Sequence, residues 1–163
     1  MTDAPKPATA GVIAPPPLLL VGALLLGLGL DRLWPLGFIA RFPQPARYTV
    51  AAILLLASAY LLLSASGRFG RAKTARAPWV PTTALVVEGV YTHTRNPMYL
   101  GFFLILAALG VALASDWCFA TLVLLVLTIH FGVVLREERY LEGLFGADYR
   151  AYKRRVPRYL WTR

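Results

Sequence analysis

The chain has 163 residues, of which 58% are hydrophobic and only 15% are charged, and its mean hydropathy is +0.59. A soluble domain of this size has about a quarter of its residues charged, so the composition predicts a membrane protein with one domain, 1–163. The net charge of +9 does not indicate nucleic-acid binding, because the basic residues lie in blocks beside apolar runs rather than along a stripe.

Four apolar segments approach the roughly 20 residues that a helix needs to cross about 30 Å of hydrocarbon. They are 11–30, 48–67, 98–114 and 117–135. The predicted fold is therefore an all-α, integral-membrane helical bundle of about four transmembrane helices, with short interfacial helices at its C-terminus. Residues 1–10 are predicted to be a disordered leader, 11–67 the first two spans, and 81–157 a cofactor-binding region.

The first segment has an alternative interpretation as a cleaved secretory signal. Its apolar run is long for a signal, and no small-residue cleavage site follows closely, so we expect it to be retained. The last two segments are separated only by Ser115 and Asp116, which predicts a tight antiparallel hairpin.

The distribution of Lys and Arg predicts the orientation. With four spans and the N-terminus inside, fourteen of the 17 Lys and Arg residues fall on inner segments, and only Arg32, Arg41 and Arg47 fall outside. Such a bias is typical of cytoplasmic segments. The connection between the second and third spans and the C-terminal tail are therefore both predicted to be cytoplasmic.

The C-terminal tail shows two helical patterns. Leu141, Leu144 and Phe145 recur at helical spacing before Gly146, which can end a helix. Asp148 is predicted to cap a second helix that ends at Pro157. Its aromatic and apolar face comprises Tyr149, Tyr152 and Val156, opposite Arg150, Lys153 and Arg154. This pattern is typical of an amphipathic helix at the membrane interface.

The third span begins with a motif that favours anion binding. Asn96 is a preferred helix cap, and Pro97 suits the first helical position. The positive end of the helix dipole would then lie at the cytoplasmic boundary, where it can accept a carboxylate or phosphate. A cap followed by Tyr99 is also ordinary membrane architecture, so the motif alone is not decisive.

Acidic and imidazole groups occur near the end of the fourth span. Glu137 and Glu138 oppose the negative end of the helix dipole, which indicates either pairing with nearby arginines or readiness for a cationic ligand. His130 is seven residues earlier and is predicted to share a face with Glu137. A polar group inside an apolar span normally faces the bundle interior, where His130 would either bond a neighbouring helix or take part in chemistry.

Together these two features predict a binding site. The hairpin places the start of the third span beside the end of the fourth, so an anion-accepting helix end faces two carboxylates. That layout suits a zwitterionic ligand with an added positive centre, such as S-adenosylmethionine. No G-x-G-x-x-G sequence is present to indicate a soluble-type nucleotide fold. The single Cys118 lies in an apolar run, which favours packing, and no metal site is predicted.

Two ordered sequence blocks resemble the isoprenylcysteine carboxyl methyltransferases and related phospholipid methyltransferases. In that family a leucine-valine pair leads to G-x-Y and then R-H-P-x-Y-x-G, followed later by a glutamate pair. The first block here comprises Leu85-Val86, Gly89-Val90-Tyr91 and Arg95-Asn96-Pro97-Met98-Tyr99-Leu100-Gly101, and the second Glu137-Glu138, Phe145-Gly146, Tyr149, Tyr152 and Arg155-Val156-Pro157. The resemblance covers 81–157, about half the chain.

The resemblance implies an enzyme that uses S-adenosylmethionine at the cytoplasmic membrane face. Carried over by position, it implies that the cofactor is bound by Thr83, Ala84, Leu85, Val86, Tyr91, Asn96, Pro97, Met98, Tyr99 and Glu137. The implied partners are the lipid bilayer and a lipophilic or thiol-bearing small molecule. The sequence leaves the acceptor open among a phospholipid amine, a small thiol, a prenylated or other isoprenoid carboxylate, and a quinone-like lipid.

Three positions depart from the family pattern. Asn96 and Thr83 replace histidines, and an asparagine cannot titrate near neutral pH. The family arginine that binds a prenylcysteine carboxylate corresponds here to Val133. Arg136 and Arg155 are the remaining candidates for substrate contacts, and Glu138 and His130 are the candidates for catalytic proton transfer.

Two other functional classes remain open from the sequence. Sterol reductases have a similar C-terminal region that uses NADPH, although their chains have more spans before it. A non-catalytic membrane protein that retains the fold is the third possibility, and Asn96 is its main support.

Overall fold

The computed structural model describes residues 9–71 and 80–160. Within those ranges every regular element is a helix, as the sequence predicts. The α-helices are α1 (Pro16–Leu33), α2 (Gln44–Arg71), α3 (Pro97–Ala112), α4 (Trp117–Ile129), α5 (Leu135–Phe145) and α6 (Ala147–Arg155). A π-helix, His130–Val134, joins α4 to α5, and short 3₁₀ helices occur at Ile39–Arg41 and Gly89–Thr92. Most of the predicted leader lies outside the described residues, as do Lys6, Lys73, Arg76 and Arg163 of the predicted charge bias.

Three helices are long and apolar enough to cross a membrane: Pro16–Leu33, Gln44–Gly70 and Trp117–Phe145. The predicted third span is shorter than expected, because α3 has only 16 residues. At about 1.5 Å per residue it is about 24 Å long, less than the roughly 30 Å of a hydrocarbon core. Pro97 fixes its start, and the 3₁₀ helix Gly89–Thr92 precedes it beside the end of α2, where the Phe69 and Tyr91 rings are 5.7 Å apart.

The chain still passes between the two ends of the bundle four times. At one end the carboxylate of Asp116 accepts the backbone N–H groups of Phe38 and Ile39 at 2.8 and 3.0 Å, and Arg47 donates to the carbonyl of Ala112. At the other end the Tyr152 hydroxyl donates to the carbonyl of Tyr91 at 2.7 Å. The segment before α3 and the C-terminal tail therefore share one end, as predicted.

The bundle interior is apolar and closely packed around α3, which lies between α2 and α4, while α1 packs on α4. Leu106, Ile129 and Val133 are fully buried there. The outer faces are also apolar: Leu56 and Leu63 of α2 are 71% and 74% exposed. Exposed apolar faces of this extent are expected where helices contact lipid, which agrees with an integral-membrane protein.

The C-terminal helices pack on the protein. Helix α5 ends at Gly146, whose φ of +52° lies in the region that favours glycine. The predicted cap by Asp148 is wrong, since α6 begins at Ala147 and has no side-chain cap. The aromatic face of α6 is buried against the segment before α3 and against α5, in a cluster of Tyr149, Tyr152, Val156, Leu85, Val87, Leu141 and Phe145.

Candidate functional site

A cavity lies where the start of α3 meets α5 and α6. The space inside it is about 110 Å³, and the cavity is open to solvent on one side. Its walls come from five parts of the chain: Ala10 before α1, the end of α2, the segment before α3, the first turn of α3, and the α5–α6 pair. The cavity is therefore at the end of the bundle that the C-terminal tail shares.

Nearly all the sequence-predicted cofactor residues line this cavity. They are Ala84, Leu85, Val86, Tyr91, Asn96, Pro97, Met98, Tyr99 and Glu137. Thr83 is the exception: it does not line the cavity, although Thr82 and Ala84 on either side of it do. The hairpin of α3 and α4 thus brings both sequence blocks to one place.

Tyr99 and Glu137 form one direct link between the two blocks. The Tyr99 hydroxyl donates to Oε2 of Glu137 at 2.8 Å, from the first turn of α3 to the first turn of α5. Tyr99 is buried and Glu137 is half-buried. The hydrogen bond fixes one carboxylate oxygen and leaves the group on the cavity wall.

Asn96 does not act as the predicted cap. It occupies the position before Pro97, but its side chain makes no capping hydrogen bond. Its Nδ2 instead donates to the carbonyl of Arg158 at 3.0 Å, and the hydroxyl of Thr94 donates to the same oxygen at 3.1 Å. The side chain therefore holds the C-terminal tail against the start of α3.

Glu138 lines the cavity but is engaged by two arginines. Arg158 donates to both carboxylate oxygens at 2.9 and 2.8 Å, and Arg95 lies 3.1 Å from Oε1. This hydrogen bond raises the pKa of Arg158, so the guanidinium stays charged. A carboxylate held in this way is a poor proton acceptor, and the pairing favours a positioning role; a catalytic role for Glu138 stays a prediction.

His130 does not line the cavity, and the expectation that it shares a face with Glu137 is wrong. It begins the π-helix, whose wider turn changes the helical register between the two residues. Its Nδ1 lies 3.2 Å from the Tyr159 hydroxyl. His130 therefore contacts the tail on another side of the helix.

The two candidate substrate arginines also lie away from the cavity. Arg136 donates to the carbonyl of Gly11 at 2.9 Å, which ties the chain before α1 to the start of α5. Arg155 is exposed at the end of α6. Neither faces the space that the predicted cofactor residues enclose.

Several lining residues have no role in the sequence-based prediction of the site. They are Ala10, Phe69, Val80, Thr82, Arg95, Tyr140, Leu141, Tyr149 and Tyr152. The helical spacing of Tyr149 and Tyr152 predicted a common face, but not that this face would meet the segment before α3. The Tyr140 hydroxyl accepts the backbone N–H of Thr82 at 3.2 Å, and no local pattern indicates such a contact.

Buried tyrosines stabilise the wall of the cavity that the segment before α3 forms. Burial raises the pKa of Tyr152, so its hydroxyl stays protonated and donates to the Tyr91 carbonyl. Burial likewise raises the pKa of Tyr91 above its usual range. These neutral hydroxyl groups give the cavity fixed polar edges without adding charge.

Comparison with known proteins identifies several similar sequences. Residues 46–148 match the model of the phospholipid methyltransferase family. The chain is 39% identical over 75 residues to a protein-S-isoprenylcysteine O-methyltransferase of Schizosaccharomyces pombe, a match of 45% of this chain and 31% of that protein. It is 40% identical over 75 residues to methanethiol S-methyltransferase 1 of Bradyrhizobium diazoefficiens, which is 45% of this chain and 25% of that protein.

A human protein-S-isoprenylcysteine O-methyltransferase is 36% identical over 76 residues, or 47% of this chain and 27% of that protein. The chain thus spans less than a third of the length of these three methyltransferases in the matched region. No solved structure matches it.

Proposed function

The chain belongs to the phospholipid methyltransferase family, and from this premise we propose that it is an S-adenosylmethionine-dependent methyltransferase. Its acceptor is a lipid-like or small thiol molecule, and its active site is the cavity at the cytoplasmic end of the bundle. The proposal rests on one observation: residues of both sequence blocks line the same cavity, where the Tyr99–Glu137 hydrogen bond links them.

The residues present fit this cofactor. Glu137 places a carboxylate on one wall, suited to ribose hydroxyls or to the positive sulfonium. Leu85, Val86 and the ring of Tyr91 provide an apolar and aromatic surface for a base.

The protein's part in the reaction is mainly alignment. When bound, S-adenosylmethionine supplies a methyl group whose bond to sulfur breaks as its bond to the acceptor forms. Positioning of the two reactants can supply about 7–11 kcal/mol of barrier reduction. The buried walls around Tyr99 and Asn96 exclude water from the reacting centre. The thiolate is the nucleophilic form of a thiol, so an acceptor bound as the thiolate needs no base in the transfer step.

The surroundings favour an acceptor without a prenylcysteine carboxylate. Val133 occupies the position of the family's carboxylate-binding arginine and is fully buried. Arg136, the nearest alternative in sequence, is bonded to the carbonyl of Gly11 outside the cavity. A small thiol, as in the methanethiol enzyme's name, or a phospholipid amine fits these observations better.

Cofactor binding tests the proposal directly. The full chain, purified in detergent, is titrated with S-adenosylhomocysteine by calorimetry. Glu137→Gln is expected to weaken binding about tenfold or more, because it removes a charged hydrogen-bond acceptor from the wall. Glu88→Gln is the matched control, since Glu88 is 80% exposed, lies outside the cavity and makes only a 3.4 Å contact with Arg68.

Two results would reject the proposal. One is a folded wild-type protein that gives no heat with S-adenosylhomocysteine and is stabilised by NADPH instead, which favours a reductase. The other is cofactor binding without transfer of labelled methyl to methanethiol, phosphatidylethanolamine, prenylcysteine or any native membrane component, which favours a non-catalytic role.

A further inference from the structure

Arg95 is buried beside the cavity and is only partly paired. Its side chain is 6% exposed, and its Nη2 lies 3.1 Å from Glu138. Its Nε and Nη1 atoms are buried and have no hydrogen-bond partner among residues 9–71 and 80–160. Buried guanidinium donors are normally all satisfied, and leaving them unpaired is costly.

The charge around Arg95 is also unbalanced. Within the described part of the chain, its one acidic contact is Glu138, which is shared with Arg158, and Arg158 already donates to both carboxylate oxygens. Two guanidinium groups therefore face one carboxylate. A second negative group beside Arg95 would complete both its hydrogen bonds and its charge balance.

The position of Arg95 indicates where that negative group would lie. Arg95 lines the cavity two residues before the start of α3, whose positive dipole end also favours an anion. Glu137 lies on the cavity wall formed by α5. A ligand with an anionic oxygen group at one end and a cationic or hydroxyl-rich part at the other would match both walls.

We propose that Arg95 binds the carboxylate of the methyl donor's amino-acid end. This assignment rests on the proposed function, since it places one end of the same cofactor. It makes Arg95 a cofactor-binding residue, positioned by Glu138, whose carboxylate is in turn held by Arg158. Arg95 has no such role in the sequence-based prediction of the site.

The test compares two ligands that differ in one group. S-adenosylhomocysteine and 5′-deoxy-5′-(3-aminopropylthio)adenosine are identical except that the second lacks the carboxylate. Their affinities for the full chain in detergent are measured by calorimetry. Wild type is expected to prefer the carboxylate-bearing ligand by about 10- to 100-fold, as for a charge-assisted hydrogen bond.

Arg95→Met is expected to lose that preference while binding the carboxylate-free ligand with little change. Arg154→Met, which changes an exposed arginine outside the cavity, is the matched control and should keep the preference. The comparison of two ligands on one protein is insensitive to a general loss of stability. If Arg95→Met does not fold, Arg95→Lys serves in its place and should show a reduced but measurable preference.

The outcomes separate this inference from the proposed function. If folded wild type binds neither ligand, the proposed function fails. If wild type binds both ligands equally, or Arg95→Met keeps the full preference, the cofactor proposal stands and the role of Arg95 is refuted. If Arg95→Met keeps the preference but loses methylation of an anionic phospholipid, the arginine faces the acceptor's phosphate instead, and the assignment to the donor is overturned.

Discussion

The hydroxyl of Tyr99 connects the two sequence blocks at the cavity. It bridges from α3 to the Glu137 carboxylate at 2.8 Å, in a position that is 8% exposed. Because the partner is charged, this hydrogen bond is stronger than a neutral one. It therefore determines where the carboxylate points before any ligand binds.

Tyr99→Phe removes that hydroxyl while keeping the ring. We expect several-fold weaker binding of S-adenosylhomocysteine and a loss of about 1–2 kcal/mol in stability, because the buried carboxylate loses a donor. Calorimetry and thermal unfolding in detergent measure the two effects. Tyr60→Phe is the control, since Tyr60 is 65% exposed on α2; equal effects of the two substitutions would contradict the role of the Tyr99 hydroxyl.

Single residues also show how far the sequence predicts the site. The motif blocks correctly located Tyr99 and Glu137 at one cavity, because hairpin geometry follows from span order. They could not reveal that Asn96 bonds the Arg158 carbonyl, since this contact joins residues far apart in the chain. Nor could they reveal that Arg95 keeps unpaired donors, which depends on where every neighbouring acceptor lies.

At the level of helices, α1 and α4 approach closely through small residues. A β-carbon added to Gly27 of α1 would lie 3.0 Å from Cα and 3.1 Å from N of Cys118 in α4. Since those are backbone atoms, they cannot move aside without shifting a helix. Small residues at such crossings are typical of membrane helix pairs, and Cys118 is buried there as the sequence predicts.

Gly27→Ala should therefore destabilise the bundle by about 1–3 kcal/mol, as overpacking does. Gly29→Ala, in the same helix, is the matched control because an added β-carbon there meets nothing within 4 Å. Gly29→Ala should be neutral or slightly stabilising through helix propensity. Thermal unfolding in detergent gives the comparison, and equal midpoints for the two variants would show that α1 does not pack as described.

Helix positions were predictable from hydropathy, but two local features were not. The π-helix at His130–Val134 has no signature in the sequence, and it invalidates the spacing argument for His130. The start of α3 at Pro97 agrees with the prediction, but the predicted apolar run 98–114 extends two residues beyond Ala112, where the helix ends. Hydropathy detects burial in lipid or protein and does not mark the residue at which a helix ends.

For the whole molecule, the remaining prediction is orientation. The two ends differ in the basic residues that the structure describes: Arg32, Arg41 and Arg47 belong to one end, and a larger group, which includes Arg68, Arg95 and the basic residues from Arg136 to Arg158, belongs to the end with the cavity. The positive-inside tendency predicts that the cavity end is cytoplasmic. The structure places the residues on two ends, and the side of each end stays a prediction.

Cysteine labelling tests the orientation without altering the charge distribution. Leu36→Cys and Leu160→Cys replace leucines that are 47% and 59% exposed at opposite ends, and the native Cys118 is buried and should not react. A membrane-impermeant maleimide should label position 36 in intact cells and position 160 only after lysis. The reverse pattern would place the cavity on the outer side.

The short length of α3 has a consequence for how reactants arrive. Because α3 begins beside the last turns of α2, where Phe69 contacts Tyr91, the cavity floor is set below the end of the neighbouring helix. If the acceptor carries an acyl or prenyl chain, we expect it to reach the cavity by lateral diffusion within its own leaflet, without extracting its chain into water. Turnover would consequently follow the acceptor's mole fraction among surrounding lipids rather than its concentration in bulk solution.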